Sequence, residues 1–469
     1  MTQSPTQGGP QPPPASEDVP QVQFQTGTTA TTDSLLDAGK DALPRLTQVT
    51  LLTHVRHHRT NSHIPLLSYA IEEESDELVI ELVPKKRDIH VLCCRGLVAV
   101  SVRFAMKMYE WQHVGVSMNL ISKVLLVQYD NQSTEVHLNV SIDQVSPDNL
   151  LEVKAGGRLV VGQKLSSIQG DFSRLETLEG DLADYRIYDG ALSGEQLKEW
   201  SKCRATSITQ PPLISLVNGR LEKVGNVRFT NTTAGILCGR SFNRFNIFFT
   251  EKMNFHGGLS WCKKLKGNLV VPKNQFDNER EWASVAQYKD QCSESWTYLY
   301  WLGIEADPQT FEWRGVTDNQ SLSYTNFLPV YQKASKQYEC VAAVSHNKYK
   351  WAACHCEIET CVMCTFAFIP RLKLRGLCRF TLLDVDFSFR RNSNQSLVFD
   401  GMSHVQILKT NDTWAMRSRL YEDLWGEMID ARPGAFPLGV HVWKIYNDKC
   451  GDDQVMAGES SLAVLEANS

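Results

Sequence analysis

At 469 residues the chain exceeds what one hydrophobic core supports and calls for several domains. Its 42% hydrophobic and 22% charged residues are an ordinary globular balance, which excludes collagen-like and wholly disordered classes. A formal charge of −5 leaves no broad basic surface for nucleic acid or anionic lipid, and no apolar run approaches the roughly eighteen residues of a membrane span.

Residues 1–45 open with MTQSPTQGGPQPPPASEDVPQ, rich in Pro, Gln, Ser and Thr and without an apolar signal core. Such a segment cannot bury enough surface to offset chain entropy and is expected to be disordered. The remainder looks extracellular or cell-surface. It carries thirteen cysteines, mostly beyond residue 200, and six N-x-[ST] sequons at Asn131, Asn139, Asn231, Asn319, Asn394 and Asn411. The missing leader then implies a start further upstream or a partial product of a longer protein.

Over 46–203 the runs VTLLTHV, ELVIELV, HVLCCRGLVAVSV, KVLLVQY, EVHLNVSI and RLVVGQ alternate with period two between turn formers. This pattern predicts a β-sandwich. Ser193-Gly-Glu-Gln196 reads as a capping box for a helix ending near Trp200, and 204–240, with Pro211-Pro212, as a connector. His54, His57, His58 and His63 form the densest histidine group. On one strand His54 and His58 share a face and His57 opposes them, so the group reads as a solvated strand end and not a metal site. Adjacent strand residues Cys93 and Cys94 point to opposite faces and read as buried free thiols.

Residues 241–371 change character. FHGGLSWCKKLKG predicts an amphipathic helix stopped by Gly267, and Asn278-Glu-Arg-Glu281 caps a second helix that turns Trp282 and Val285 inward. The strand YLYWLGI follows, then a Ser/Asn/Gln-rich loop over 305–338, then the apolar strands ECVAAV and CVMCTFAFI. A compact α+β domain results. Its end packs Cys354, Cys356, Cys361 and Cys364 into eleven positions, a spacing open to a metal cage, a redox device or disulfides. Residues 372–455 are strand-like again, and 456–469 form a polar tail. No G-x-S-x-G, H-E-x-x-H or phosphate loop appears in its required context, and no catalytic constellation is found.

The stretches IPLLSYA (64–70), DELVIE (76–81), EWQHVGVS (110–117), GGRLVVGQ (156–163) and GDLADYRIYDGALSGEQL (180–197) resemble the pentraxin branch of the laminin-G-like, concanavalin-like jelly rolls. That family joins two neighbouring strands by a disulfide, with one cysteine in H-x-C-x-S. Here the motif reads His113-Val-Gly115-Val-Ser117 and its partner position falls near Leu52, so both halves are gone. The family binds calcium through an Asp-Asn pair and a Glu-Gln-Asp run. Here these read Ser75-Asp76 and Lys164-Leu165-Ser166, which puts a cation where the metal needs oxygen ligands.

Trp301-Leu-Gly-Ile304, SYTNFLP (323–329) and Trp351-Ala-Ala353 resemble the W-I-G-L core, long-loop approach and W-N-D strand of C-type-lectin-like domains. The resemblance implies Cys262–Cys364 and Cys340–Cys356 disulfides, with Cys292 then reaching Cys361 and Cys354 left over. Cys203 and Cys238 are expected to clip the connector, and Cys378 and Cys450 to bracket the third segment. The family's calcium ligands, E-P-N or Q-P-D and the Asn-Asp of W-N-D, are replaced by Pro329-Val-Tyr-Gln332 and by Ala352-Ala353. No cofactor or metal is therefore expected.

LRGLC (374–378) through PLGVHVWKIYNDKC (437–450) resembles a β-rich segment of arthropod multidomain proteins. There a pentraxin-like and a lectin-like domain precede it, an LDL-receptor class A module follows, and some members carry a Cys-loop ligand-gated channel. The expected fold is mainly β: a jelly-roll sandwich, an α+β lectin-like domain and a β-rich C-terminal segment. The expected function is non-enzymatic, calcium-independent recognition or adhesion toward a protein or glycan, in a chain continuous with a membrane receptor in longer products. The alternative is a carbohydrate-binding lectin with Trp313, Tyr324 or Tyr331 as stacking platforms, belonging to the ectodomain of a channel or other receptor.

Overall fold

In the computed structural model the described residues are 18–26, 30–59, 63–140, 151–203, 208–238, 245–293, 298–367, 371–375, 386–391, 396–401, 404–410, 413–421, 423–430, 436–446 and 460–467. The chain divides into two compact units, residues 1–241 with 402–404 and 418–422, and the remainder from 242 onward.

The first unit is a two-sheet sandwich. Its strands, in chain order, are β1 (Asp18–Phe24), β2 (Leu35–Asp37), β3 (Gln48–His57), β4 (Ile64–Ile71), β5 (Glu74–Val83), β6 (Asp88–Cys93), β7 (Val98–Arg103) and β8 (Gln112–Asn119). There follow β9 (Val124–Tyr129), β10 (Gln132–His137), β11 (Arg158–Val161), β12 (Gly180–Asp189), helix α1 (Gly194–Trp200), β13 (Ile214–Ser215), β14 (Glu222–Val224), β15 (Val227–Thr233) and helix α2 (Ala234–Cys238). One sheet runs β10-β9-β8-β3-β12-β1-β15, with β13 on β12; the other runs β14-β2-β11-β4-β5-β6-β7. Alternating residues such as Leu78, Ile80 and Leu82 of β5 and Ile89 and Val91 of β6 enter the core between them. The Ser193–Gln196 capping box is present on α1, whose Leu197 and Trp200 cover Leu52 and Tyr188.

Several boundaries move. Residues 18–24 and 35–37, inside the segment expected to be disordered, are strands, because Val22, Phe24 and Leu36 enter the core. Residues 1–17 lie outside the described residues. The 204–240 connector supplies β13, β14, β15 and α2, so the sandwich recruits chain from both sides of 46–203. His54 and His57 are 1% and 0% exposed, not a solvated end, since β3 is central in its sheet. His57 faces the core side, while His54 lies under Trp200, ring centroids 4.6 Å apart. Burial drives the His57 pKa down to about 4, and burial together with His113 lowers His54 well below the ordinary imidazole value.

The second unit opens with β16 (Phe245–Met253), α3 (Phe255–Lys264), β17 (Asn268–Leu269), α4 (Gln275–Val285), α5 (Lys289–Cys292), β18 (Tyr298–Ala306), β19 (Trp313–Gly315), β20 (Cys340–Val344), β21 (Trp351–Cys354) and β22 (Thr360–Phe366). Their sheet runs β16-β22-β18-β20-β21. Helix α4 starts one turn earlier than expected: Asn274 caps it by accepting from the Asp277 amide. Asn278 is instead buried, and its Oδ1 accepts from Trp351 Nε1 at 2.7 Å. At the end of α3 the positive φ falls on Lys266, at 62°, and not on Gly267. Gly267 is needed for close approach, since a Cβ there would lie 2.9 Å from the Thr365 carbonyl oxygen.

The C-terminal segment is a closed antiparallel barrel of β23 (Arg371–Arg375), β24 (Asp386–Arg391), β25 (Leu397–Gly401), β26 (Val405–Thr410), β27 (Thr413–Ser418), β28 (Leu424–Met428), β29 (Gly439–Ile445) and β30 (Ser460–Ala467). The expected 456–469 tail therefore holds the closing strand: β30 pairs with β29 and β23 and leaves no open edge. Phe387, Phe399, Trp414, Met416 and Trp443 are buried in a cluster that continues into the lectin-like domain through Phe249 and Phe389.

Candidate functional site

Three places in the molecule bear on ligand chemistry. The first is the corner where the resemblance put a calcium site. Asp76 stands near the start of β5, and Lys164 follows β11 in a loop bridged to 176–177. Lys164 Nζ lies 3.5 Å from Asp76 Oδ1 and 3.9 Å from Glu176 Oε1. The next residue, Leu165, is fully buried against Leu35, Ala70 and Val160, which anchors the loop and holds the ammonium between the carboxylates. The same unit holds the pair near which the resemblance put a disulfide. Leu52 and Gly115 are direct partners across β3 and β8, and a Cβ on Gly115 would meet Leu52 Cδ2 at 3.3 Å.

The second place was not legible from spacing. His63, just before β4, Glu81 in β5 and His90 in β6 converge on the sheet face away from the core. His63 Nδ1 is 2.8 Å and His90 Nδ1 3.3 Å from Glu81 Oε1. His63 was read with His54, His57 and His58, but strand register, not chain proximity, chooses its partners.

The third is the lectin-like long loop. Trp301 is fully buried at the domain centre and donates from Nε1 to the Met253 carbonyl at 2.8 Å. Gly303 allows β18 past β17, since a Cβ there would sit 2.7 Å from the Leu269 carbonyl oxygen. Of the proposed stacking residues, Tyr324 is occupied against Trp351 and Asn278, so it serves the fold. Trp313 stacks on Phe327 with centroids 5.4 Å apart and donates to the Gln332 carbonyl at 2.9 Å. It lines a shallow cleft of 520 Å³ with Glu312, Thr325, Gln332 and Lys333. Tyr331 is 54% exposed on the single turn Pro329–Tyr331. Ala352 and Ala353 are buried in β21 opposite Ala342 and Val341, and offer no side-chain oxygen.

The cysteines sort by tertiary partner. Cys262 is joined to Cys364, Cys292 to Cys361 and Cys340 to Cys356, with Cα atoms 5.4, 5.3 and 5.2 Å apart, inside the usual disulfide range. Cys203 is joined to Cys238. A four-sulfur cage at 354–364 is excluded because three of its members bond elsewhere. Cys354 stays a buried thiol, its pKa pushed far up by burial. Cys93 and Cys94, expected free, are recorded as bonded to each other. The alternation argument fails there because β6 ends at Cys93 and Cys94 turns away with φ of 60°. Cys378 and Cys450 lie outside the described residues, as do Asn394 and Asn411. Asn131, Asn139, Asn231 and Asn319 are exposed.

Comparison with known proteins agrees with this division. The Pentaxin family matches residues 28–227, and the Lectin C-type domain matches 251–366. C-reactive protein 1.4 of Limulus polyphemus is 24% identical over 168 residues, 34% of this chain and 64% of that protein. C-reactive protein 1.1 of the same animal is 25% identical over 163 residues, at the same coverages. The chain thus spans 64% of the length of these curated relatives. Among solved structures, the native heptameric SAP-like pentraxin of Limulus polyphemus aligns with 47% of this chain and 98% of its own, at 18% identity and a TM-score of 0.38. Human lithostathine aligns with 27% and 94% at 19% identity and a TM-score of 0.23. Both domain types are non-enzymatic binding domains typical of extracellular proteins, and among the described residues no helix is long and apolar enough to cross a membrane. The chain is a pentaxin-family domain followed by a C-type lectin domain and a β-rich C-terminal barrel.

Proposed function

We propose that this chain is an extracellular recognition protein that engages a protein or glycan ligand without calcium. The observation that carries the reading is Lys164, whose ammonium lies between Asp76 and Glu176. Calcium needs six to eight oxygens, several of them anionic, and a fixed cation between two carboxylates repels it. In the lectin domain the buried Ala352 and Ala353 remove a second ligand pair. Ligand contact then falls to side chains such as Trp313, Gln332 and Lys333 around the long-loop cleft. That cleft also favours a second reading, a sugar-binding lectin that stacks a pyranose on Trp313 in place of metal coordination. Continuity with a membrane receptor in longer products belongs to the same proposal.

A bound ion stabilises by mass action, about 2.7 kcal/mol at a hundredfold excess over Kd. In chelator-stripped protein, adding millimolar calcium is expected to leave the melting temperature unchanged. A rise of several degrees that disappears in Asp76→Ala would defeat the reading. Glycan-array binding unaffected by calcium, and lost in Trp313→Ala, would select the lectin reading over a protein ligand.

A further inference from the structure

We propose that His63, Glu81 and His90 form a binding site for a transition-metal dication of the zinc class. Antiparallel register assembles it. Glu81 is paired with His90 on one side and with Pro65, two residues past His63, on the other. Ile80 and Leu82 point into the core, so Glu81 faces the opposite way, and His90 does the same between Ile89 and Val91. One ligand atom from each residue lies within 4.8 Å of the other two. Donors at about 2.0–2.1 Å from a tetrahedral ion stand about 3.3 Å apart. The observed 2.8 and 3.3 Å separations from Glu81 lie near that edge, and the two imidazole nitrogens, within 4.8 Å of each other, close around an ion by side-chain rotation. Two imidazoles and a carboxylate suit zinc or its neighbours, with a fourth position left open, and supply too few oxygens for calcium.

Two imidazoles hydrogen-bonded to one carboxylate would give similar distances without any ion. The other carboxylate oxygen argues against that as the whole account. Glu81 is 2% exposed, and its Oε2 is buried with no hydrogen-bond partner among the described residues. A buried carboxylate oxygen without a partner is costly, and a bound dication compensates it. The His63 side chain is 41% exposed, which gives the ion a route in and the open position access to solvent or ligand. The other such group among the described residues, His54 with Cys203 and Cys238, has its sulfurs tied in a disulfide and offers no thiolate.

The site shares no residue with Asp76, Lys164, Glu176 or the lectin loop, so it stands or falls apart from calcium independence. The test titrates the chelator-stripped full chain with Co²⁺ alone and follows its visible d–d absorption. One saturable equivalent with tetrahedral bands, displaced by Zn²⁺, is expected. Outer ligand partners alone commonly alter metal affinity 10–100-fold, so His63→Ala and His90→Ala should each weaken binding at least about tenfold. Glu81→Gln should do the same. If that buried variant fails to fold, His63→Ala decides the matter, its metal-free melting temperature matching the parent chain. Absence of saturable cobalt binding, unchanged affinity in His63→Ala, or loss in His54→Ala with retention in His63→Ala would each overturn the proposal.

Discussion

The pentaxin-family unit and the lectin domain are held together by different means. In the first, no disulfide among the described residues joins one sandwich strand to another. Leu52 and Gly115 face each other across β3 and β8, near where the resemblance put a bridge, and Cys203–Cys238 ties the chain just after α1 to α2. Its cohesion comes from a continuous core between two large sheets. In the lectin domain, three bridges fasten α3, α5 and the segment after β21 to the central sheet, around a smaller core interrupted by a long loop. A large sandwich can forgo the covalent link that a small, loop-rich domain cannot.

The sharpest break is to replace Cys262 and Cys364 together by alanine. This bridge spans 102 residues, and the chain-entropy model gives its loss a cost of about 4–5 kcal/mol. Hydrogen exchange should accelerate across β18, β20 and β22 while the first unit's sheets keep their protection. Equal loosening of both units would mean that their stabilities are not independent.

Acid should discriminate in the opposite direction. His57 is buried in the first unit with its pKa lowered to about 4, so below about 6.5 the unfolded chain takes up a proton that the folded chain refuses. Stability is full above pH 6.5 and falls as pH drops toward 4, by about 3 kcal/mol from this residue, with His54 adding in the same sense. Urea unfolding of the first unit at pH 7 and pH 4.5 measures this. A His57→Gln variant should show a shallower slope.

Gly303→Ala puts a methyl carbon 2.7 Å from the Leu269 carbonyl oxygen, and a shift of β17 should cost the lectin domain about 1–3 kcal/mol. Thermal melting resolves that loss. The smallest effect comes from adding a link across β3 and β8. Leu52→Cys with Gly115→Cys should oxidise spontaneously, since direct antiparallel partners lie within disulfide reach. Lost leucine packing offsets most of the gain and leaves a net of about 1–2 kcal/mol. Thiol titration that still finds both cysteines reduced would show that the β3–β8 register is wrong.

Local chemistry made much of this fold legible. Period-two runs marked the sandwich strands, Ser193 to Gln196 marked α1, and Trp301-Leu-Gly-Ile304 marked β18, because each signal depends on residues a few positions apart. The residues on which the proposed calcium independence rests, Lys164, Ala352 and Ala353, are likewise readable in the sequence. Other features depended on distant chain. β1, β2 and β30 lie in stretches that read as a disordered start or a polar tail, and they become strands by pairing with β12, β11 and β23, far away along the chain. Asn278 reads as a cap until Trp351, 73 residues away, claims its side-chain oxygen. His63, Glu81 and His90 carry no spacing signal at all. Cross-strand register alone sets Glu81 opposite His90, and a shift of one residue would turn that carboxylate into the core.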